Sequence, residues 1–447
     1  MNLYGTSKVS NEGHLMIGDV DTTKLVNKYG TPLFVYDVND ICDRAYQFKR
    51  AFEKNGISYQ VAYASKAFSC LAMVQLVDEL GLSLDVVSGG ELYTALEAKF
   101  PPERIHFHGN NKSLQEIEMA VRENIGCFVV DNFTELSWLM DVTESMSRPM
   151  DVLIRITPGV EAHTHEYIST GQEDSKFGFD IQSGQAAKAI EIIQSHQYLS
   201  IKGVHSHIGS QIFETDGFTS AVKEIYQRLR EWNKQLNFVP EVLNLGGGFG
   251  IRYTKEDEPL PLGDYVEAMI ASVKEESNKS GLPFPEIWIE PGRALVGEAG
   301  TTLYSIGARK TIPGIRTYLS VDGGMTDNIR PALYQAKYEA VVANKLNEPC
   351  EDTVSIAGKC CESGDMLIWD LALPQVDHGD ILAVLSTGAY GYSMANNYNR
   401  IQRPAVVFVK DGQEQCVIQR ETYADLIKNE RGYRLKSSSA TLANSYS

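Results

Sequence analysis

Val61-Ala-Tyr-Ala-Ser-Lys-Ala67 sets a lysine at the end of an apolar, strand-like run. Keeping a charge on a buried strand is costly, so the pKa of Lys66 is expected to fall, and a neutral amine condenses with an aldehyde. The plainer reading is a lysine snorkelling at a strand end, its stem packed and its ammonium in water. The pattern on either side of it decides between them.

Working outward, β-rich runs ending in polar or glycine residues alternate with helical stretches from about residue 58 to 293. The runs are Ser58 to Lys66, Leu82 to Ser88, Ile105 to Gly109, Cys127 to Asn132, Asp151 to Gly159, Ile201 to Gly209, Val242 to Gly248 and Glu286 to Gly292. Between them lie apolar residues at helical spacing, such as Leu71, Val74, Val77 and Leu80, or Val222, Ile225, Leu229 and Trp232. Eight strands with intervening helices predict an α/β fold, a closed (β/α)8 TIM-like barrel. Active sites on this fold sit at the C-terminal strand ends. Those ends carry Lys66, Asp85 with Ser88, Asn110, Arg155, His207, Gly246 to Gly248, and Glu290 with Arg293, which is a site in residue types. The connection Pro158 to Asp180, with His163, His165, Glu166 and Tyr167, is long enough to act as a lid or to reach an adjoining subunit.

Beyond Ala294 the texture changes. Ile312 to Val321, Tyr338 to Val342, Thr353 to Ala357, Ile381 to Leu385, Ala405 to Val409 and Cys416 to Gln419 read as strands of a second, all-β domain. The expected organisation is N-terminal strands over residues 1–36 that pack with that domain, a barrel over 37–295, the β domain over 296–435 and a disordered tail over 436–447.

The 447 residues allow two domains, and 43% hydrophobic with 22% charged residues is ordinary for a soluble globular enzyme. A net charge of −17, from 41 basic and 58 acidic side chains, gives no footprint for nucleic acid or an anionic membrane, so a small-molecule partner is expected. Seven cysteines without a CxxC spacing argue against a disulfide framework or a zinc ribbon. Without a signal-like start or an apolar run of about 18 residues, the expected location is cytoplasmic.

Asn244-Leu-Gly-Gly-Gly-Phe-Gly250 follows a strand, and its glycines let backbone N–H groups approach a phosphate, although the spacing fits neither the dinucleotide fingerprint nor the P-loop. Arg293 on the neighbouring strand end is placed to pair with the same phosphate. Glu290 supplies the acid that a protonated pyridine nitrogen needs; the alternative is an ion pair between Glu290 and Arg293. His207 suits stacking on a flat ring, while the His205/His207 pair also admits a metal site. A metal site calls for further carboxylate and histidine ligands on other strand ends, where lysine, glycines and arginine stand instead. Lys66, the triple glycine with Arg293, Glu290 and His207 together describe pyridoxal 5′-phosphate bound as a Schiff base.

From Tyr63-Ala-Ser-Lys-Ala67 through the β domain, the chain resembles the barrel-type pyridoxal-phosphate-dependent amino-acid decarboxylases, and among them the branch acting on diaminopimelate. The resemblance rests on His163-Thr-His-Glu-Tyr-Ile-Ser-Thr-Gly171, Glu173-Asp-Ser-Lys-Phe-Gly178, His205-Ser-His-Ile-Gly-Ser-Gln211, Asp322-Gly-Gly-Met-Thr-Asp-Asn-Ile-Arg-Pro-Ala-Leu-Tyr334 and Cys361-Glu-Ser-Gly-Asp365. It implies that Lys66 holds the cofactor aldehyde, His207 covers a ring face, Glu290 pairs with the ring nitrogen, and Ser210 with Gly246, Gly247 and Gly248 holds the phosphate. It further implies that Tyr390 lies near phosphate and substrate and that Arg293, Arg330, Tyr334 and Glu362 bind the distal end of the substrate, with Arg293 shared with the phosphate. Cys361 would be the proton donor, supplied by the other subunit of a homodimer with shared active sites; a thiol with a reference pKa of roughly 8.5 is mostly protonated at neutral pH. The plain reading of Cys361 is a small buried apolar residue.

The implied reaction is decarboxylation of meso-2,6-diaminopimelate to L-lysine, in lysine biosynthesis. Relatives acting on simple diamine precursors present an acid directly after the tyrosine matching Tyr334, where this chain has Gln335. A distal end bearing both carboxylate and ammonium wants a cation and an anion, and Arg330 with Glu362 provides both. The alternatives are the same chemistry on arginine, ornithine or a carboxylated polyamine, and a catalytically silent cofactor-binding relative. Asn396 and Asn397 depart from the commonest family form.

Overall fold

The computed structural model describes residues 3–160 and 175–433. Eight parallel strands close a ring: β1 (Tyr59–Ala64), β2 (Ser83–Val86), β3 (Ile105–Phe107), β4 (Cys127–Val130), β5 (Met150–Thr157), β6 (Leu199–His205), β7 (Val242–Asn244) and β8 (Glu286–Ile289). Each pairs with its sequence neighbour, β8 pairs with β1, and all pairs are parallel, so the expected barrel is present at the expected runs. A two-residue strand, Phe179–Asp180, pairs in parallel with the C-terminal end of β5.

Local chemistry explains the alternation. Ser88, Ser113 and Asn132 each end a β-to-α connection and accept the N–H three residues on, which caps the helices Gly89–Glu97, Leu114–Arg122 and Phe133–Met146. The helix after β7, Leu262–Ser280, is flanked on the far side by Val38–Asn55, which precedes β1. Ile41, Ala45, Phe48 and Phe52 of that helix repeat at helical spacing and are buried. The ring of helices is thus completed by a helix that comes before the first strand.

Inside the barrel, Cys127, Val129, Leu153, Val242 and Trp288 form an apolar plug, with His106 stacked on Trp288 at 4.3 Å. Side chains on a strand alternate faces, so two residues further along the same strands point the same way. Those positions are Asp131, Arg155, Asn244, Glu290 and His108. A polar layer therefore lies on an apolar floor at the C-terminal end.

The second domain is all-β. Its long central strand, Gly300–Ile312, pairs with Arg316–Val321, with Ile381–Val384 and with Leu33–Asp37. Leu33–Asp37, buried throughout, also runs parallel to Ala405–Lys410. Two readings of the sequence need correction. Ile312 to Val321 is not one strand, because Pro313 and left-handed Gly314 turn the chain between two antiparallel strands. The strands Gly300–Ile312 and Met366–Leu373 were not anticipated, as their mixed polar faces lack clean alternation. The expected lid with His163, His165, Glu166 and Tyr167, and the expected tail 436–447, lie outside the described residues.

Candidate active site

Lys66 lies in a short turn, Ser65–Ala67, directly after β1. The turn is fixed from both domains: Tyr63 Oη donates to the Phe68 carbonyl at 2.7 Å, and the Ala67 carbonyl accepts from Tyr390 N at 2.8 Å and Ser393 Oγ at 3.0 Å. The Lys66 side chain is open to the barrel mouth and makes no hydrogen bond among the described residues. Its expected fall in pKa is not found. Desolvation pulls the value down, but Tyr390, Asp85 and Glu290 outweigh it, and the net direction is upward. Burial is a local property of the strand end, whereas Tyr390, Asp85 and Glu290 are brought to Lys66 by other parts of the fold.

Glu290 is the most heavily held side chain of the site. It accepts from Asn244 Nδ2 at 2.6 Å and meets His205 Nε2 at 3.1 Å; His108 Nε2 lies 2.9 Å away as an ion-pair contact rather than an aligned hydrogen bond. Burial alone would raise its pKa, but the two imidazoles reverse that and hold it well below the usual carboxylate range. The alternative ion pair with Arg293 does not form. Asp85, in the same layer, is pushed by burial up to about 6, against the pull of His108 and Lys66.

His205 and His207 do not act as a pair. His205 faces Glu290, whereas His207 Nδ1 accepts from Gly247 N at 3.3 Å, which leaves the proton on Nε2. Burial, with Lys66 and Arg155 nearby, lowers the His207 pKa well below its ordinary value, so the ring is neutral. Ligand-type atoms of His108, His205 and Glu290 lie within 4.8 Å of one another, but both imidazole Nε2 atoms are already engaged with Glu290 oxygens.

Gly246 and Gly248 have φ of 68° and 102°. A Cβ on Gly246, Gly247 or Gly248 would sit 2.6 Å from Ser206 O, 2.1 Å from Glu290 O or 2.2 Å from Gly209 O, so only glycine lets these loops approach. Beside them Arg293 Nη2 donates to Ser210 Oγ at 3.1 Å, Arg293 Nη1 donates to Tyr253 Oη, and the guanidinium lies 4.8 Å from the Tyr390 ring. Its Nε is buried without a hydrogen-bond partner. Arg330 Nη1 donates to Tyr253 Oη at 2.7 Å and to Tyr338 Oη at 3.0 Å. Both arginines are 8% exposed, and neither has a carboxylate partner among the described residues. Two buried, uncompensated cations and an orphaned N–H beside a glycine turn fit an anionic group such as a phosphate.

The other implied residues are not bonded into this network. Cys361, Glu362 and Tyr334 are exposed, and none makes a hydrogen bond or ion pair to the Lys66 surroundings among the described residues. Cys361 is therefore not the buried apolar residue of the plain reading. Its N–H donates to Asn399 Oδ1 at 2.7 Å, and Asp365 joins its loop to the Arg330 segment by accepting from Met325 N at 2.6 Å and Cys360 N at 2.8 Å. Asn396 N donates to the Thr326 carbonyl at 2.8 Å and Asn397 Nδ2 to Glu421 at 2.7 Å, which gives both asparagines a bracing role.

Four residues of the site escaped the sequence reading. His108 was legible as the strand-end residue two beyond His106, and Asn244 stood in the quoted glycine stretch without a role. Tyr253 and Tyr338 carry no sequence signal, since only the fold brings them to Arg330.

The profile of the family described as "Pyridoxal-dependent decarboxylase, pyridoxal binding domain" matches residues 38–297. The chain is 63% identical over 428 residues to diaminopimelate decarboxylase of Bacillus subtilis (strain 168), covering 96% of this chain and 98% of that one. It is 65% identical over 428 residues to the enzyme of the same name from Halalkalibacterium halodurans, with the same 96% and 98% coverage. Among solved structures, diaminopimelate decarboxylase from M. jannaschii in co-complex with L-lysine matches with a TM-score of 0.90 at 37% identity, covering 96% of this chain and 98% of that one. A lysine/ornithine decarboxylase from Vibrio vulnificus complexed with putrescine, at 21% identity and a TM-score of 0.72 over 87% of this chain and 97% of that one, shares the fold.

Proposed function

The chain belongs to the pyridoxal-dependent decarboxylases, and on that premise we propose that its barrel mouth binds pyridoxal 5′-phosphate and removes one carboxylate from meso-2,6-diaminopimelate, yielding L-lysine and carbon dioxide. The observation that carries this reading is the charge layout around Lys66: an ionised Glu290 in the barrel, and two guanidiniums without carboxylates at its rim.

When bound, the cofactor supplies an electron sink for the carbon that loses carbon dioxide. The chain's residues do the rest. Lys66 Nζ is the amine that would hold the cofactor through its aldehyde. Glu290, kept ionised by His108 and His205, would accept a hydrogen bond from the ring nitrogen and favour its protonated form. Neutral His207 would cover a ring face without adding positive charge. Ser210, Gly246, Gly247, Gly248 and Arg293 would receive the phosphate, with Tyr390 beside Arg293.

Arg330 takes the distal carboxylate of the substrate, and Glu362 with Tyr334 the distal ammonium end. Cys361 Sγ delivers a proton to the carbon left by the carboxylate. Cys361 and Glu362 are exposed on their own protomer, which supports their completing the site of a second copy in a homodimer. Arginine or ornithine would leave Arg330 buried without an anion, which disfavours those substrates.

Incubation of purified protein with the cofactor and meso-diaminopimelate should release L-lysine and carbon dioxide. No lysine above a cofactor-only control overturns the reading. Turnover of ornithine or arginine in its place would assign the chain to the diamine-forming branch, and an intact visible cofactor band without turnover of any of them would make it a silent carrier.

A further inference from the structure

We infer that Tyr253 is a specificity-positioning residue: its hydroxyl, shared with Arg293, sets Arg330 toward the distal carboxylate of the substrate. The inference rests on the proposed reaction and adds a residue that the reaction had not required.

Tyr253 Oη accepts from Nη1 of both arginines, and the two guanidiniums lie 5.6 Å and 5.1 Å from its ring centroid. A hydroxyl oxygen has two acceptor sites, so it can serve two donors at once. Two buried like charges otherwise repel, and no carboxylate stands between these two among the described residues. Beyond this shared oxygen the two cations diverge: Arg293 reaches Ser210, and Arg330 reaches Tyr338.

Tyr253 is itself well anchored. Its N–H donates to Asp257 Oδ2 at 3.0 Å, Arg252 N donates to Glu298 Oε1 at 2.8 Å, and its ring meets Tyr338 edge-on at 5.3 Å. Burial raises its pKa, but the two guanidiniums reverse the shift to a net fall, the direction expected of an oxygen that accepts from two cations. The chemistry recognised at the Arg330 end is a carboxylate on the substrate's far carbon. Phosphate recognition stays with Arg293 and Ser210.

The test is Tyr253→Phe, which keeps the ring and its packing and removes the shared oxygen. D-lysine is the control ligand, because it presents the same reacting centre and distal ammonium as meso-diaminopimelate but has no distal carboxylate. With wild-type turnover of meso-diaminopimelate established first, so that failure of the proposed reaction would already be visible, KM for that substrate should rise roughly tenfold or more and kcat should stay within about threefold. The dissociation constant of D-lysine, read from its displacement of the cofactor absorption band, should stay within about twofold, as should cofactor affinity. In an Arg330→Lys background, Tyr253→Phe should add no further rise in KM. An unchanged KM, an equal loss for D-lysine, or an effect that adds fully to Arg330→Lys overturns the inference.

Discussion

Tyr390 donates its backbone N–H to the Ala67 carbonyl at 2.8 Å, which ties the second domain to the turn carrying Lys66. Tyr390 adopts a left-handed φ of 59°, uncommon for an aromatic residue, and its ring faces the Arg293 guanidinium at 4.8 Å. Replacing Tyr390 by Ala removes a cation–π contact of about 0.5–2 kcal/mol. Cofactor affinity, followed by absorption titration, should fall by roughly two- to thirtyfold while the fold persists.

Glu290 is held by Asn244 and two imidazoles, and a neutral amide cannot favour a protonated ring nitrogen as a carboxylate does. Glu290→Gln should therefore slow decarboxylation on the order of a hundredfold or more. The visible cofactor band should remain, because Lys66 is intact; an unchanged kcat would remove Glu290 from its role.

Two carboxylates of the polar layer titrate in opposite senses. Glu290, depressed on folding, contributes stability above its ordinary value of 4.5, and that contribution is lost as pH falls through its folded value. Asp85 is raised to about 6, so the folded chain binds its proton more tightly and stability declines as pH rises from 3.8 to that value. For the cofactor-free protein, thermal unfolding across pH should show Asp85→Asn more stable than wild type near neutrality. Glu290→Gln should be less stable there, and its deficit should shrink in acid.

A shared site is tested by mixing two inactive proteins. Lys66→Ala should lose the visible band and all turnover, and Cys361→Ala should keep the band and lose most turnover. Equal amounts, allowed to exchange subunits, should regain roughly a quarter of wild-type activity, since half the dimers are hybrids with one intact site each. No recovery despite exchange would place Cys361 and Lys66 in the same protomer's site.

Much of the site was legible because a barrel strand has a fixed period. Once eight strands are recognised, Lys66, Glu290 and His207 fall at strand ends, where the fold gathers them. Arg293 was legible too, but its partner was not. Expectation offered Glu290, 3 residues away in sequence, whereas Ser210 and Tyr253 arrive from other loops.

The barrel, the all-β second domain and the residue types of a pyridoxal-phosphate site were legible in the sequence, because strand alternation, helix caps and glycine turns are encoded over a few residues. It left open the balance of charges. The upward pKa of Lys66, the ionised state of Glu290 and the hydroxyl shared by Arg293 and Arg330 each depend on side chains from several strands or loops. Electrostatic energy depends on distance through space, and only the closed barrel, with the second domain fastened at Ala67, fixes those distances.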